Sequence, residues 1–489
     1  MVVPGYRTSC PSHHHHRQQK HASNNSSDAI GILAFEAAVA MSRLVSLHRS
    51  LSNADLLQLR YGGMHSAGVA YLTSRDNHFL LRLACAELLS DLDSVAATVS
   101  RFATRCCTDS LLSFERKYAD FKIGIAVSTV NLVRSLSFKG AERRVKQMEK
   151  CVATIGILLR EMETLAKLEA DERKIESTSG WYNVTLPSLQ KSPTAFTLET
   201  KAQRKTVARL KEESLWCKTF DEVVAQMSPA VLAVFARICA VFGSFVPSLP
   251  LVLISPGSRI SFSSCVPKCR IYPRLAGSHN ASEWMPLAEA SGGRRMDNKK
   301  CLPQNCEWKE NRAEASPGMQ EGSLKPSART VSGAGLTMRY ANVVTMAERI
   351  MRMRSGELDS GEGDEEAARQ EIYRLLPTSL QVAVRLKLKE RWRERGSADG
   401  NLSEGWREAV QRILRWLGPV ARDTMRWQEE RALDRRQRLK TNPRVLAWQT
   451  LLFSDREKTE AAIIEVLVGL SCIYWYGDHL DSALQRRLG

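Results

Sequence analysis

The 489-residue chain reads as all-α: two helical-bundle blocks joined by a long disordered linker. Three observations carry that reading. Apolar residues recur at three- and four-residue steps through most of residues 30–244 and 333–480, the spacing of one helix face. No stretch of note in either block has the two-residue period of a half-buried strand. Between the blocks, residues 245–332 replace periodicity with Pro, Ser, Gly and scattered basic residues. The expected organisation is a disordered tail over 1–29, an N-terminal helical domain over 30–244, a linker over 245–332, a C-terminal helical domain over 333–480 and a short tail over 481–489.

Within the tail, His13 to His16 sit in Ser- and Asn-rich sequence that cannot hold a coordination geometry, so they are expected to be solvated. Order begins at Ile30, where Leu33, Ala37, Ala40, Met41, Leu44, Leu47 and Leu51 form one helical face. Ser52 or Asn53 caps a short second helix that Gly62 and Gly63 end. A third helix opens near Asp76 and Asn77, with Leu81, Leu88, Leu92, Val95, Val99 and Phe102 as its core stripe. Leu111, Phe114, Tyr118 and Phe121 mark a short amphipathic helix. Residues 142–174 carry a long seam, Val145, Met148, Val152, Ile155, Leu159 and Met162, that needs a partner helix. Residues 201–243 offer one, in which Ser228 and Pro229 stand as an N-cap and first-turn proline would, so that it reads as two consecutive helices or one kinked helix.

The second block starts at Gly335 with the face Leu336, Tyr340, Val343, Ala347 and Ile350, closed by an acidic, Gly-rich loop. Pro377 stops the next helix. Thr378 or Ser379 caps the one after, which carries Leu380, Val384, Leu388 and Trp392 on its core side. Trp406, Val410, Ile413, Leu414 and Leu417 follow, and Gly418 with Pro419 is expected to bend the chain into Met425 and Trp427. The last helix has the clearest start: Ser454, Asp455, Arg456 and Glu457 read as an S-x-x-E capping box, with Asp455, Glu457 and Glu460 favoured by the positive end of the helix dipole.

A formal charge of +17 favours an acidic partner without choosing among protein, nucleic acid and anionic membrane. The twelve cysteines lie in apolar patterns and loops, which fits a reducing compartment. The Asn-x-Ser/Thr triplets at Asn183, Asn280 and Asn401 are then chance matches. Ile238 to Ile254 is the most apolar stretch, yet it is short for a bilayer and holds Pro247 and Pro250, so no transmembrane span is expected. Cys265, Cys269, Cys301 and Cys306 have looser spacing than zinc knuckles and are read as unpaired thiols.

No phosphate-loop, metalloprotease or nucleophile-elbow motif occurs, and Asp455, Glu457, Glu460 and Glu465 have no nearby His to complete an acid-base site. No catalytic residue, cofactor or metal is therefore expected. Between Ser379 and Lys440 there are 16 Lys or Arg against 9 Asp or Glu, interleaved with Trp392, Trp406, Trp416 and Trp427. Arg435, Arg436, Arg438 and Lys440 form the densest group, a candidate anion-binding or nuclear-import patch. The tryptophans sit at apolar-face positions and are read as core.

Three segments resemble the plant PSK SIMULATOR family, which has an N-terminal and a C-terminal domain of unknown function (DUF3475 and DUF668). The first is Gly31 to Glu36 with Met41 to Leu44, Ser50 to Ser52, Phe79 to Leu81 and Leu83 to Glu87. The second is Met148 to Lys150, Arg160 to Glu163, Ser214 to Trp216 and Thr219 to Asp221. The third is Tyr340 to Val343, Leu376 to Leu380, Ile413 to Leu417, Met425 to Gln428 and Asp455 to Glu460. The resemblance implies a non-enzymatic regulatory protein that binds other proteins and promotes plant growth in connection with phytosulfokine peptide signalling. It also implies a nuclear or cytoplasmic location, the nucleus first, with the periphery of the plasma membrane as the other option. The N-myristoylation signal of some members is missing here, because Val2 follows Met1. The alternative reading is a nuclear regulator that binds nucleic acid through the arginine-rich second block; an enzyme of unrecognised type is the third.

Overall fold

The structure, a computed structural model, describes residues 29–124, 138–178, 193–250, 325–355, 362–393, 400–431 and 444–488. Those residues form fourteen α-helices in two blocks and no strand. The tail with His13 to His16, the four linker cysteines, Asn183, Asn280 and the patch Arg435, Arg436, Arg438 and Lys440 lie outside the described residues.

The N-terminal block holds α1 (Ala34–Ser50), α2 (Asn53–Gln58), α3 (Ala67–Leu72), α4 (Asn77–Ala103), α5 (Asp109–Leu112), α6 (Phe114–Lys122), α7 (Phe138–Thr178), α8 (Pro193–Glu213) and α9 (Phe220–Phe242). The caps follow the sequence closely. Ser52 accepts the Asp55 amide at 3.2 Å, and Asp76 accepts the His78 amide at 2.9 Å. Helices α1, α4 and α9 meet along stripes that include Met41, Leu44, Leu92, Val99, Val224 and Phe235, all buried. The α7 seam packs on α1 and α8. Helices α1 and α9 are long and apolar enough to cross a membrane by composition, but most of each lies buried inside this core. The described chain continues past residue 244, and Phe245, Val246 and Leu249 pack against the same core.

The C-terminal block holds α10 (Thr337–Arg354), α11 (Glu362–Leu375), α12 (Thr378–Arg393), α13 (Gly400–Arg431) and α14 (Arg456–Leu488). Helix α13 is its spine, packed on α10 and α14. A Cβ at Gly469 of α14 would collide with Val410 of α13, so the missing side chain allows the close approach.

Two prolines lie inside helices, and at Pro229 the single-helix alternative is the one observed. The break between α8 and α9 falls at Ser214 to Thr219, and Pro229 sits inside a continuous α9. Pro419 likewise lies inside α13, which runs unbroken where a bend is expected. Each proline removes one backbone hydrogen bond, at a cost of about 3 kcal/mol. Buried residues on both sides, Met227 and Val231 around Pro229 and Leu417 and Val420 around Pro419, outweigh that loss. One helix, α3, is absent from the sequence reading because six residues are too few to show a period.

The blocks exchange side chains. Leu72 of α3 belongs to the C-terminal core, while Leu446 and Trp448, from the strap between α13 and α14, belong to the N-terminal core. Trp448 is 1 % exposed. Gly68 makes the return contact possible: a Cβ there would lie 2.6 Å from the Trp416 carbonyl oxygen of α13. Trp448→Ala is expected to cost about 3–5 kcal/mol in denaturant unfolding, the range for deleting a buried tryptophan. Gly68→Ala should also lower the unfolding midpoint, by forcing α3 off α13.

Candidate functional site

The capping sequence at the start of α14 lies where three backbone segments meet. The Val331 amide donates to the Ser454 carbonyl (3.0 Å), the Arg456 amide to the Arg329 carbonyl (3.0 Å) and the Asp455 amide to the Leu72 carbonyl of α3 (2.7 Å). These bonds form a bridge between Thr330 and Asp455 and leave the Ser454 side chain buried, its hydroxyl donating to the Thr450 carbonyl at 3.2 Å. The N-cap therefore moves one residue on. Asp455 Oδ1 accepts the Lys458 amide at 2.9 Å, so the third helical residue is Lys458 rather than Glu457 and the Ser454 to Glu457 box does not form. A reciprocal box does occur at Thr219 and Glu222, ahead of α9.

The remaining acids of this segment have separate duties. Glu457 is exposed in the first turn, where the helix dipole favours it. Glu460 Oε1 accepts from the Tyr340 hydroxyl and from Arg456 Nε, both at 2.7 Å. Burial, then this bond, pushes the Tyr340 hydroxyl well above the ordinary tyrosine range. Glu465, one turn further, pairs with Lys387 of α12. The four do not converge on a common point from which to act on a substrate.

The densest cluster of ionisable groups joins the two blocks. Glu87 of α4 is 3 % exposed. Its Oε1 accepts from the Trp427 indole N–H at 2.9 Å and from Arg431 Nη2 at 2.6 Å, both on α13. Its Oε2 accepts the Ala447 amide of the strap at 2.6 Å. One turn along α4, Asp91 pairs with Arg431 at 3.4 Å and with Arg444. The Arg431 guanidinium also lies over the Trp427 ring, 3.9 Å from its centroid. Burial lowers the affinity of Arg431 and Arg444 for their protons while Glu87 raises it, and a guanidinium stays charged through such shifts. Burial pushes the neighbouring Glu430 carboxyl up to about 7, helped by Glu87 and opposed by Arg431 and Arg426.

Buried Glu87 and partly exposed Asp91 thus face two guanidiniums, and both Glu87 oxygens accept from donors in the other block, while Arg444 Nε is buried without a hydrogen-bond partner among the described residues. Chemically this is a closed joint that fixes the blocks against each other. The sequence reading did not single it out. Its one local signal is Glu87 standing four residues after Leu83 on a buried face, a charge where the pattern calls for an apolar residue.

Of the four tryptophans read as core, Trp406 and Trp416 pack against the C-terminal core, with Trp416 edge-on to Tyr71 of α3 at 5.2 Å. Trp427 serves Glu87. Trp392 departs from the reading and is 49 % exposed. Burial pushes the Cys85 and Cys239 thiols up to about 12, which leaves both unreactive.

Two family models match the chain: a domain of unknown function (DUF3475) over residues 32–88 and a protein of unknown function (DUF668) over residues 330–426. Protein PSK SIMULATOR 1 of Arabidopsis thaliana is 24 % identical over 457 residues, covering 90 % of this chain and 55 % of that protein. Protein PSK SIMULATOR 3 of the same plant is 24 % identical over 452 residues, 90 % of this chain and 56 % of that protein. Protein PSK SIMULATOR 2 is 26 % identical over 216 residues, 44 % of this chain and 34 % of that protein. The chain spans about half the length of the first two relatives. Its homologues are thus PSK SIMULATOR proteins, with both domain models in the order the resemblance implies, and no enzymatic family is indicated. No solved structure matches.

Three measurements test the joint and the α14 cap. Glu87→Ala leaves Arg431 and Arg444 buried without it and should cost about 3–5 kcal/mol in denaturant unfolding. Asp455→Ala should cost about 1 kcal/mol, and Asp455→Asn much less, since both Asp and Asn cap. Glu430, whose folded pKa is raised, contributes stability that is fully present below the unfolded carboxyl value near 4.5 and is lost as pH rises to about 7. Glu430→Gln should therefore flatten the stability profile across that window, and an unchanged slope would refute the assignment.

Proposed function

We propose that this homologue of the PSK SIMULATOR proteins is a non-enzymatic regulator of phytosulfokine-linked growth in plants, and that it works by binding other proteins from its outer helical faces. The observation that carries the reading is homology along 90 % of the chain, with both domains of unknown function in order. The site chemistry supports it. The ionisable groups gathered at the seam pair with one another across the two blocks, so the joint acts as a brace. A braced pair of bundles presents fixed surfaces, which lowers the ordering cost of binding a partner. The proposed working location is the nucleus.

The test is complementation. In a plant lacking its own PSK SIMULATOR proteins, the intact chain should restore growth and the response to added phytosulfokine, while Glu87→Ala at equal abundance should restore less. A tagged chain should collect in the nucleus. Absence of any growth effect from the intact chain would overturn the proposal.

A further inference from the structure

Helix α12 carries apolar residues at every second position: Leu380, Val382, Val384, Leu386 and Leu388. In a strand that alternation would define one face. In a helix each two-residue step turns by about 200°, so alternate members fall on opposite sides. Leu380, Val384 and Leu388 are buried in the C-terminal core. Val382 and Leu386 point the other way and are 47 % and 62 % exposed.

The outer face continues along the helix as charge. Val382, Leu386, Lys389 and Arg393 follow the 4-3-4 spacing of a helix-pairing seam, and Arg385 flanks it. Arg385, Lys389 and Arg393 are exposed and make no ion pair among the described residues, the acids nearest them in sequence being Glu390 and Glu394. On the inner side, Lys387 is engaged by Glu465. Two turns of apolar contact leading into two turns of unneutralised cation describe a complementary surface.

We propose that this face of α12 docks an acidic amphipathic helix of a partner protein, its apolar residues over Val382 and Leu386 and its carboxylates over Arg385, Lys389 and Arg393. A second copy of this chain would set these cations against each other. Two aliphatic side chains also offer little apolar area to insert into a bilayer. The inference supplies the chemistry of the protein binding proposed above and rests on that reading; a binding assay tests it independently of any growth phenotype.

The assay uses the full chain and a labelled synthetic helix of four turns, Leu along one face and Glu on its flanks, followed by fluorescence anisotropy. Binding should weaken as salt rises. Leu386→Asp should weaken it by about tenfold or more, equivalent to at least about 1.4 kcal/mol. Joint Arg385→Glu, Lys389→Glu and Arg393→Glu should abolish binding of the Glu helix and confer binding of the same helix with Lys for Glu. Circular dichroism controls for folding. No binding of the Glu helix, equal binding by the triple variant, tighter binding to phosphatidylserine vesicles than to the helix, or salt-resistant self-association through this face would each overturn the proposal.

Discussion

A carboxylate taken out of water must find donors, and Glu87 finds every one of its donors at least 340 positions away in sequence. Much of the architecture follows from meeting that demand. Helix α13 must run on past Pro419 to bring Trp427 and Arg431 within reach. The strap must then cross to the N-terminal block so that the Ala447 amide and Arg444 arrive on the same α4 surface. That crossing carries Trp448 into the N-terminal core. The seam is thus polar and apolar at once: the ion cluster sets its register, and the exchange of Leu72 and Trp448 supplies burial.

Both family models end at this seam. The DUF3475 match stops one residue after Glu87, and the DUF668 match stops one residue before Trp427 and begins at Thr330, whose neighbour Val331 is bonded to Ser454. Segments separate in sequence therefore meet at their boundaries in space. Binding surfaces on either block then hold a constant relation to one another, a useful property in a protein read as an adaptor.

The helical class and most core stripes were legible in the sequence because they depend on local periodicity. Ser52 and Asp76 cap as their types suggest, and the buried residues of α1, α4 and α7 fall on the faces that spacing assigns. What was illegible depends on distant partners. The pattern S/T-x-x-E occurs at Thr219 and at Ser454, yet forms a box at Thr219 and not at Ser454, whose hydroxyl is turned to the Thr450 carbonyl while Asp455 caps the helix. At Pro229 the sequence leaves a break and a single helix open, and at Pro419 it suggests a bend; the buried residues on either side keep each helix continuous. The joint left one trace, an acid at an apolar position, and in sequence its partners Arg431 and Arg444 flank the run Arg435, Arg436, Arg438 and Lys440, which reads as a candidate anion-binding or import patch. The two-residue alternation in α12 was half seen: Leu380, Val384 and Leu388 fit a helix, and Val382 and Leu386 had no place in that pattern.

The strap also sets an order of events during synthesis. A ribosome delivers all nine N-terminal helices some two hundred residues before it delivers Trp448. Until then the pocket awaiting that ring stands open, and Glu87 faces it without the amide of Ala447. The first block is consequently the last to be finished. A nascent chain halted anywhere between the two would present oily surface to the quality-control machinery, so completion of the C-terminal strap doubles as a checkpoint on the N-terminal fold.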